Sequence, residues 1–393
     1  MIKKISIIAC FSSIIYAQSA VVNFDEFLSD TLQNSPYLKA KQLGIEKSRN
    51  QAKILTRYEN PTLELEISQF KLDIGTNNNG YRVALSQPLL LWGVGKDKKN
   101  LGDALTSKSE ANTVLSRAEL EKNISLLFTQ YAQSKALLFL GEEELRIAFR
   151  IYEIAQARYD AGTISRGELL QAKVDQEMVR ISLDSRELNA QEEYFTLLQI
   201  AGLRQEIHLS YKKDFDIEKN RVLENHPKTL YMNKEKLEYL AQIEVDSNTI
   251  NSIDLIGAFE KESNQDILRL GVAIPLAVFN TKKEEVRIAK LQAQQIELLQ
   301  SQFSSKMRLE LLHLQKQRIL LQNIYKNSEE TLETQVKLLG MFQESYTIAN
   351  TNLLALQNIK NQVISTKESR IQTKISLDVN AILTNYILGA YNE

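Results

Sequence analysis

The sequence predicts a mainly α-helical protein with a small β part, built from two internal structural repeats. Two long stretches without proline, one after Pro88 and one after Pro275, carry polar and apolar residues at helical spacing. Each stretch follows a short segment in which apolar and polar residues alternate as they do in a strand, namely GYRVALSQP and LRLGVAIP. The two prolines lie 187 positions apart, which indicates that the chain repeats one unit.

The composition favours long helices and excludes several functional classes. Only 14 glycines and 5 prolines occur among 393 residues, which is typical of a helical protein with few loops. The formal net charge is −1 and no basic stripe is present, so we expect no nucleic-acid partner. His208, His226 and His313 lie in different predicted elements, without the spacing of a metal site. No catalytic cluster is visible, and we therefore expect no enzyme activity, no metal and no cofactor.

Residues 1–20 are predicted to be a signal peptide. Lys3 and Lys4 form a basic start. An apolar core and then a cleavage zone of small residues follow it. Two alternatives remain open: an N-terminal anchor helix, and lipidation of Cys10, which follows Ile-Ile-Ala as in a bacterial lipobox. The apolar run is shorter than the roughly 20 residues that a membrane span needs, which favours the signal peptide. We therefore expect an exported protein.

The first repeat is predicted to cover residues 21–203. It begins with two short helices separated by Asn-Ser-Pro at 34–36, since a proline disfavours helix in the residue before it. A hairpin of two strands and a hairpin of two long helices follow, with strands at about 61–70 and 80–88 and helices over about 94–200. The first of these helices would be roughly 100 Å long at the standard rise. Ser165 is predicted to cap the return helix, and Gly202 to end it.

A connector at 204–224 joins the first repeat to a second repeat at 225–393. The second repeat opens with Asn-His-Pro, and the predicted order of elements recurs, with strands at about 251–260 and 267–275 and a helical hairpin over about 281–388. Heptad positions support the repeat, because each residue of the second set lies 187 positions after its counterpart in the first. The sets are Leu138, Leu145, Tyr152 and Tyr159, and Tyr325, Leu332, Leu339 and Tyr346. Such spacing predicts antiparallel coiled-coil hairpins.

The four predicted strands each have one apolar and one polar face. This alternation suits a strand between lipid and a water-filled lumen. The charged residues expected to face that lumen are Glu64, Glu66, Arg82, Asp254 and Arg269. Four such strands cannot close a barrel, for which about eight is the minimum, whereas three copies of the chain would supply twelve. We therefore predict a homotrimer with a 12-stranded barrel.

Several segments, which occur in the same order in both repeats, resemble the TolC family of outer-membrane efflux proteins. They are the paired NSP and NHP sequences, the strand-to-helix steps SQPLLLWG and AIPLAVFN, and the hairpin turns ARYDAGTISRGELLQA and SYTIANTNLLALQ. The resemblance spans about residues 23–390. It implies a homotrimer in the outer membrane of a Gram-negative bacterium, in contact with membrane lipid, with a helical tunnel that crosses the periplasm. It also implies two partners, a periplasmic adaptor and an inner-membrane efflux pump.

The resemblance further implies adaptor docking and gating at the two periplasmic turns. The positions that match the docking turn are Arg158, Tyr159, Gly162, Ser165, Glu168 and Gln171. Those that match the gate are Tyr346, Asn350, Asn352 and Gln357. The family often carries acidic residues at the start of the second return helix, but this sequence has Ala355 and Asn358 there, so we expect a polar amide gate. The alternative interpretation is that all these residues are only helix caps and coiled-coil ends.

Other functional classes remain open at this point. One is a periplasmic coiled-coil scaffold or adaptor, in which the alternating segments form a soluble β-domain. Another is an outer-membrane enzyme or adhesin, although no catalytic cluster or extended surface domain is visible. Within the favoured class, an exit duct, both a tripartite efflux system and a type I secretion system fit. The segment LLLWG resembles the subgroup that serves heavy-metal exporters, and drug efflux is the other expected cargo.

Overall fold

The computed structural model describes residues 21–71, 77–203, 205–218 and 221–391. The predicted signal peptide and Cys10 lie outside the described residues, as does most of the loop expected at 71–79. The described residues form seven α-helices and four strands, which confirms the predicted fold class. In chain order these are α1 (Phe24–Asn34), α2 (Pro36–Thr56), β1 (Thr62–Lys71), β2 (Asn77–Leu90), α3 (Val94–Asp160), α4 (Arg166–Ala201), α5 (Pro227–Ser247), β3 (Ser252–Lys261), β4 (Asp266–Ala273), α6 (Lys283–Thr347) and α7 (Leu353–Ile387).

Side-chain caps fix where several helices begin. The Asn23 Oδ1 atom accepts a hydrogen bond from the Glu26 backbone N–H at 2.9 Å, and Ser35 caps α2 in the same manner. At α5 the cap is His226, whose Nδ1 atom accepts from the Lys228 N–H at 3.0 Å. These bonds satisfy backbone donors that have no partner inside the helix, so the helix starts are set by local sequence.

The four strands form one antiparallel sheet in the order β1-β2-β3-β4. β2 extends beyond the predicted 80–88, because it pairs with β3 as far as Leu90 opposite Ser252. β1 begins at Thr62, opposite Ser86. Pro88 therefore lies where β2 has a neighbour on one side only, and its missing N–H is tolerated there. β4 ends at Ala273, before Pro275, and among the described residues it has a neighbour only on the β3 side. Both β1 and β4 are therefore edge strands.

The chain divides into two compact units, and the first comprises residues 21–33, 124–215 and 324–378 among those described. It contains the turns of both helical hairpins. Its core near the turns combines small and large apolar side chains: Ile151, Ala155, Ala172, Leu339, Tyr346, Leu353, Leu356, Ile359 and Val363. Residues 205–218 of the connector contain no helix, but Leu209 pairs with Val22 through an isolated bridge.

The two heptad sets are not equivalent in the structure. In the first hairpin, the small residues Ala148 and Ala155, three positions after Leu145 and Tyr152, are buried at 1% and 0% exposure, whereas Tyr159 is 38% exposed. In α6 the large residues are the buried ones, since Tyr346 is 0% exposed. A Cβ atom at the neighbouring small residue Gly141 would lie 3.0 Å from side chains of α4, so α4 approaches α3 closely. Small residues thus allow close helix packing in the first hairpin. The heptad spacing, which treats Tyr159 and Tyr346 as equivalent, did not predict this difference.

The second unit comprises residues 34–123, 216–323 and 379–391 among those described. It contains the sheet together with α2 and α5 and the starts of α3 and α6. Gly102 permits the contact between α2 and α3, because a Cβ atom there would lie 2.7 Å from the Ala52 Cβ atom. His226 is buried between Phe303 and Tyr386, with ring centroids 5.0 and 4.9 Å away.

Candidate functional site

The two hairpin turns of the first unit are built in related ways. The first turn has Gly162 at φ +70°, and the Thr163 N–H donates to the Arg158 carbonyl at 2.8 Å. The second turn has Ala349 at φ +62°, a left-handed conformation that a residue with a Cβ atom seldom adopts. Each return helix then starts at a polar cap, since Ser165 accepts from Glu168 N–H at 3.2 Å and Asn352 from Ala355 N–H at 2.9 Å.

A buried tyrosine links the two turns. The Arg158 guanidinium donates from Nη1 to the Tyr346 carbonyl at 2.9 Å, and its centre lies 4.4 Å from the centroid of the Tyr346 ring. The Tyr346 hydroxyl donates to Glu168 Oε1 at 3.4 Å. Burial, and secondly the negative charge of Glu168, raise the pKa of Tyr346 to about 12, so the phenol stays protonated and acts as a donor at physiological pH. Three predicted site residues therefore meet in one network.

A second set of polar contacts joins α4 to α7. Gln171 donates from Nε2 to Gln357 Oε1 at 3.3 Å. Next to it, Lys360 is 1% exposed and donates to both Asp175 carboxylate oxygens at 2.7 and 2.9 Å. Sequence reasoning missed this ion pair, although a signal existed. Lys360 is a charged residue on the α7 face that also carries the buried residues Leu356 and Val363.

The predicted tip residues divide into exposed and buried ones. Tyr159 of the first turn is exposed, and so are the predicted gate residues Asn350 and Asn352 of the second turn. Tyr346 and Gln357 are buried within the protomer, at 0% and 7% exposure. The predicted gate residues thus form an exposed pair and a buried pair. The two buried residues hold helices together, because their polar groups bond to Glu168 and Gln171.

The sheet of the second unit places all five predicted lumen residues on one face. The strand register alternates faces, and opposite residues share a face. Arg82 lies opposite Glu66 and bonds to it at 2.8 Å, with Glu64 at 3.9 Å. On the other strand pair, Arg269 bonds to Glu260 at 2.7 Å. Asp254 shares this face by its even spacing from Glu260, a residue that the sequence analysis did not select although the same alternation marks it.

The opposite face of the sheet is apolar and exposed. Its side chains include Leu63, Leu65, Ile67, Leu268, Leu270 and Val272, with exposed fractions from 57% to 87%. Such a continuous apolar surface is uncommon on a protein surrounded by water. The sheet thus presents charges on one side and aliphatic side chains on the other, as the alternating sequence pattern predicts.

Within the residues 21–71, 77–203, 205–218 and 221–391, no group of three or more His, Cys, Asp or Glu side chains is placed to hold a metal ion. Across that same part of the chain, no helix has both the length and the apolar character needed to cross a membrane.

The sequence model of the outer membrane efflux protein family matches residues 27–203. The fold matches solved channel structures over nearly the whole chain. CusC has a TM-score of 0.78 at 16% identity, covering 93% of this chain and 91% of CusC. Residues 27–203 therefore resemble the outer membrane efflux protein family, and the chain has the fold of solved channel structures. The CusC structures concern transmembrane channel formation.

Two further channels show the same fold. The Campylobacter jejuni CmeC outer membrane channel has a TM-score of 0.76 at 17% identity, covering 93% of this chain and 85% of CmeC. The open state of the Neisseria gonorrhoeae MtrE outer membrane channel has a TM-score of 0.72 at 16% identity, covering 93% of this chain and 88% of MtrE. At these identities the structural likeness establishes the fold. No curated protein sequence matches the chain.

Proposed function

We propose that this chain is an outer membrane efflux protein and serves as the exit duct of a tripartite efflux system. In this proposal the duct passes substrates from an inner-membrane pump and a periplasmic adaptor across the periplasm and the outer membrane. The observation that carries the proposal is the sheet, which combines an apolar face, a charged face and two edges that have no partner strand among the described residues. The helical hairpins would form the periplasmic tunnel.

The two free sheet edges support a trimer. Edge strands expose unpaired backbone groups, which favour pairing with another chain. Pairing of β4 with β1 of the next copy would join three four-stranded sheets into a closed barrel of twelve strands. Inside a membrane such closure is required, because unpaired backbone groups in lipid cost several kcal/mol each.

The charged face of the sheet would then line the lumen. Glu64, Glu66, Arg82, Asp254 and Arg269 would contact water there, together with Glu260. The ion pairs of Arg82 and Arg269 with glutamates are exposed in the single chain, which fits a water-filled interior. The aliphatic face would contact outer-membrane lipid.

The hairpin turns would carry adaptor docking and the gate. A groove of about 590 Å³ lies between them and is lined by α3 residues, including Arg158, and by Ile348 and Ala349 of the second turn. Ile348 is 72% exposed, so a partner helix would find an apolar contact beside a basic one. The docking residues of this proposal are Arg158, Tyr159, Gly162, Ser165, Glu168 and Gln171. Asn350 and Asn352 would form the exposed part of an amide gate, which Tyr346 and Gln357 would hold from inside the protomer.

The same duct could serve a type I secretion system, because the pump and not the duct selects the substrate. Heavy-metal and drug efflux are both compatible with a lumen of mixed charge. The relatives support a gated duct in general terms, since the MtrE channel is described in an open state.

The mass of the purified complex tests this proposal. The full-length protein should fractionate with the outer membrane, and sedimentation in detergent should give the mass of three chains. A species of one chain at all detergent and protein concentrations would overturn the trimer, because four strands cannot close a barrel alone.

A further inference from the structure

An open cavity of about 920 Å³ lies in the first unit, away from both hairpin turns. It is called here the connector cavity, and its lining comes from within residues 132–143 of α3, 211–214 of the connector, 325–332 of α6 and 367–378 of α7. A volume of this size is sufficient for a drug-sized ligand. None of the proposed docking, gate or lumen residues lines it, so the proposed function leaves this cavity unexplained.

Small side chains on α3 make room for the cavity. Ala132 and Ala136 are four residues apart and therefore share one face of that helix. On α7, Ile371 and Ile375 line the cavity at the same spacing. These four side chains carry no polar group, so this part of the lining favours the burial of an apolar ligand body.

Two aromatic rings add to the apolar part of the lining. The ring of Phe139 on α3 stacks on that of Tyr211 in the connector, with centroids 5.3 Å apart and planes inclined by 30°. Stacked rings are a favourable arrangement, so each side chain helps to fix the other. Phe139 is still 44% exposed, and it therefore offers an apolar surface to a ligand that contains a ring.

Basic side chains outnumber acidic ones around the cavity. The basic residues are Lys212, Lys213, Lys367, Arg370 and Lys374, and the acidic ones are Glu143, Asp214 and Asp378. Lys213 and Arg370 bond to Asp25 and Glu329, but neither of these carboxylates lines the cavity. In the part of the chain that the structure describes, Lys212 forms no ion pair, and its ammonium lies 6.0 Å from the centroid of the Tyr211 ring. The cavity therefore has an excess of positive charge, which attracts anions.

Arg370 is held in place and keeps donors for a ligand. Its guanidinium centre lies 4.9 Å from the centroid of the Tyr325 ring. Its Nη2 atom donates to the Tyr325 hydroxyl at 3.2 Å and to the Glu329 carboxylate at 2.7 Å. Both bonds use the same nitrogen, whereas a guanidinium has five N–H donors on three nitrogens. Arg370 can therefore bond to Glu329 and to the acid group of a ligand at the same time.

We propose that the connector cavity binds an organic anion of drug size, with an apolar ring body and one acid group. The ring body packs against Phe139 and the alanines of α3, and the acid group binds Lys212 and Arg370. Such a ligand contacts both helical hairpins as well as the connector, so its binding stabilises the arrangement of hairpins seen here. The inference goes beyond the proposed duct and does not depend on it.

Two dyes that differ in charge test the preference for an anion. The naphthalene dye 8-anilinonaphthalene-1-sulfonate carries a sulfonate, and N-phenyl-1-naphthylamine has the same rings without it. The full-length protein in phosphatidylcholine nanodiscs is titrated with each dye, and empty nanodiscs give the background. The anionic dye should bind saturably at one site per chain and at least tenfold more tightly than the neutral dye. Equal affinities, or no saturable binding of the anionic dye, would overturn the proposal.

Loss of the two cations tests which residues bind the acid group. Lys212→Gln combined with Arg370→Gln should weaken binding of the anionic dye at least tenfold and leave that of the neutral dye unchanged. The matched control is Lys337→Gln, which removes an exposed lysine of α6 that does not line the cavity. This control should bind both dyes as wild type does. Wild-type affinity of the double variant for the anionic dye would show that the acid group does not bind there, and the proposal would be wrong.

A larger side chain tests the position of the ring body. Ala136→Phe should fill the cavity and abolish saturable binding of the anionic dye, whereas Ala136→Ser should retain it. The mass and the thermal unfolding of each variant show whether it is folded and assembled. A folded Ala136→Phe variant that binds the dye as wild type does would contradict the proposal. If wild type binds no dye and Ala136→Phe lowers the amount of assembled protein, a second copy of the chain fills the cavity and the proposal is again wrong.

Discussion

Lys360 shows at the scale of single residues how the first unit depends on a buried charge. Its ammonium group is almost completely shielded from water and meets both oxygens of Asp175. Removing one partner of a buried pair leaves an uncompensated charge, which is strongly destabilising, whereas removing both partners is far less so. The pair therefore fixes the contact of α7 with α4 more than it adds stability.

Substitutions in the pair of Lys360 and Asp175 should lower the stability of the fold by different amounts. Asp175→Asn should destabilise the fold by about 3 kcal/mol, because it leaves the buried Lys360 ammonium without its negatively charged partner. The double variant Asp175→Asn with Lys360→Met should recover most of that loss. Thermal unfolding followed by circular dichroism in detergent measures the order. Equal midpoints for wild type and Asp175→Asn would show that Lys360 gains no stability from its partner.

His226 predicts a dependence of stability on pH. Burial, followed by the positive charges of Lys228 and Lys122, lowers its pKa from 6.5 to about 4. Its Nδ1 atom accepts the cap bond of α5, so protonation would remove the acceptor and bury a charge. A group whose pKa is lowered by folding contributes stability above its unfolded value. That contribution is lost as the pH falls from about 6.5 towards 4, and it amounts to roughly 3 kcal/mol.

His226→Asn is the matched variant for this prediction. Asparagine keeps an oxygen acceptor at the cap but does not titrate. The difference in unfolding free energy between wild type and variant should therefore shrink as the pH is lowered through this window. A constant difference would mean that His226 is not the group responsible.

At the scale of secondary-structure elements, local signals explain what the sequence could predict. α3 begins at Val94 and α4 ends at Ala201 because a turn with Gly93 and a left-handed Gly202 flank them, and glycine marks both places. The ends of the strands were predicted less accurately than the ends of the helices, because the pairing of strands decides where a strand ends. The sequence did not show that β2 pairs with β3 as far as Leu90, or that β4 is an edge strand. The alternation of polar and apolar residues nevertheless assigned the five charged side chains to one face.

The contacts between hairpins could not be predicted in the same way. Sequence spacing treats Tyr159 and Tyr346 as equivalents, but packing leaves one exposed and buries the other. The network of Arg158, Glu168 and Tyr346 depends on tertiary contacts between residues up to 188 positions apart. No local pattern records such a separation.

The two faces of β1 should differ in their tolerance to charge. Leu65→Arg places a charge on the apolar face and should destabilise the inserted protein by about 2–4 kcal/mol if the residue lies near the middle of the bilayer. Ser68→Arg changes the same strand on the charged face and should assemble as wild type does. The trimer fraction recovered from outer membranes measures both variants. Equal recovery would refute the membrane assignment of this strand.

At the scale of the whole molecule, we propose that three copies enclose a duct closed by polar groups at the hairpin turns. Asn352 is suited to test the gate, because it is exposed and caps α7 through its side-chain oxygen. Asn352→Asp keeps that cap, so α7 still begins at the same residue. In a trimer the substitution introduces three like charges, which should repel one another if they lie near the axis. We expect the closed state to be destabilised.

Electrical recording in planar lipid bilayers tests the proposed duct and its gate together. Purified wild-type protein should insert as discrete conducting steps of low conductance, and Asn352→Asp should conduct clearly more per step. Ser165→Asp, which alters the equivalent cap of the first turn, should match wild type and serves as the control. Conductance that is the same in Asn352→Asp and wild type would place the gate elsewhere. Protein that is shown to be folded and trimeric but gives no conducting steps, in wild type or in any variant, would contradict the assignment as a duct.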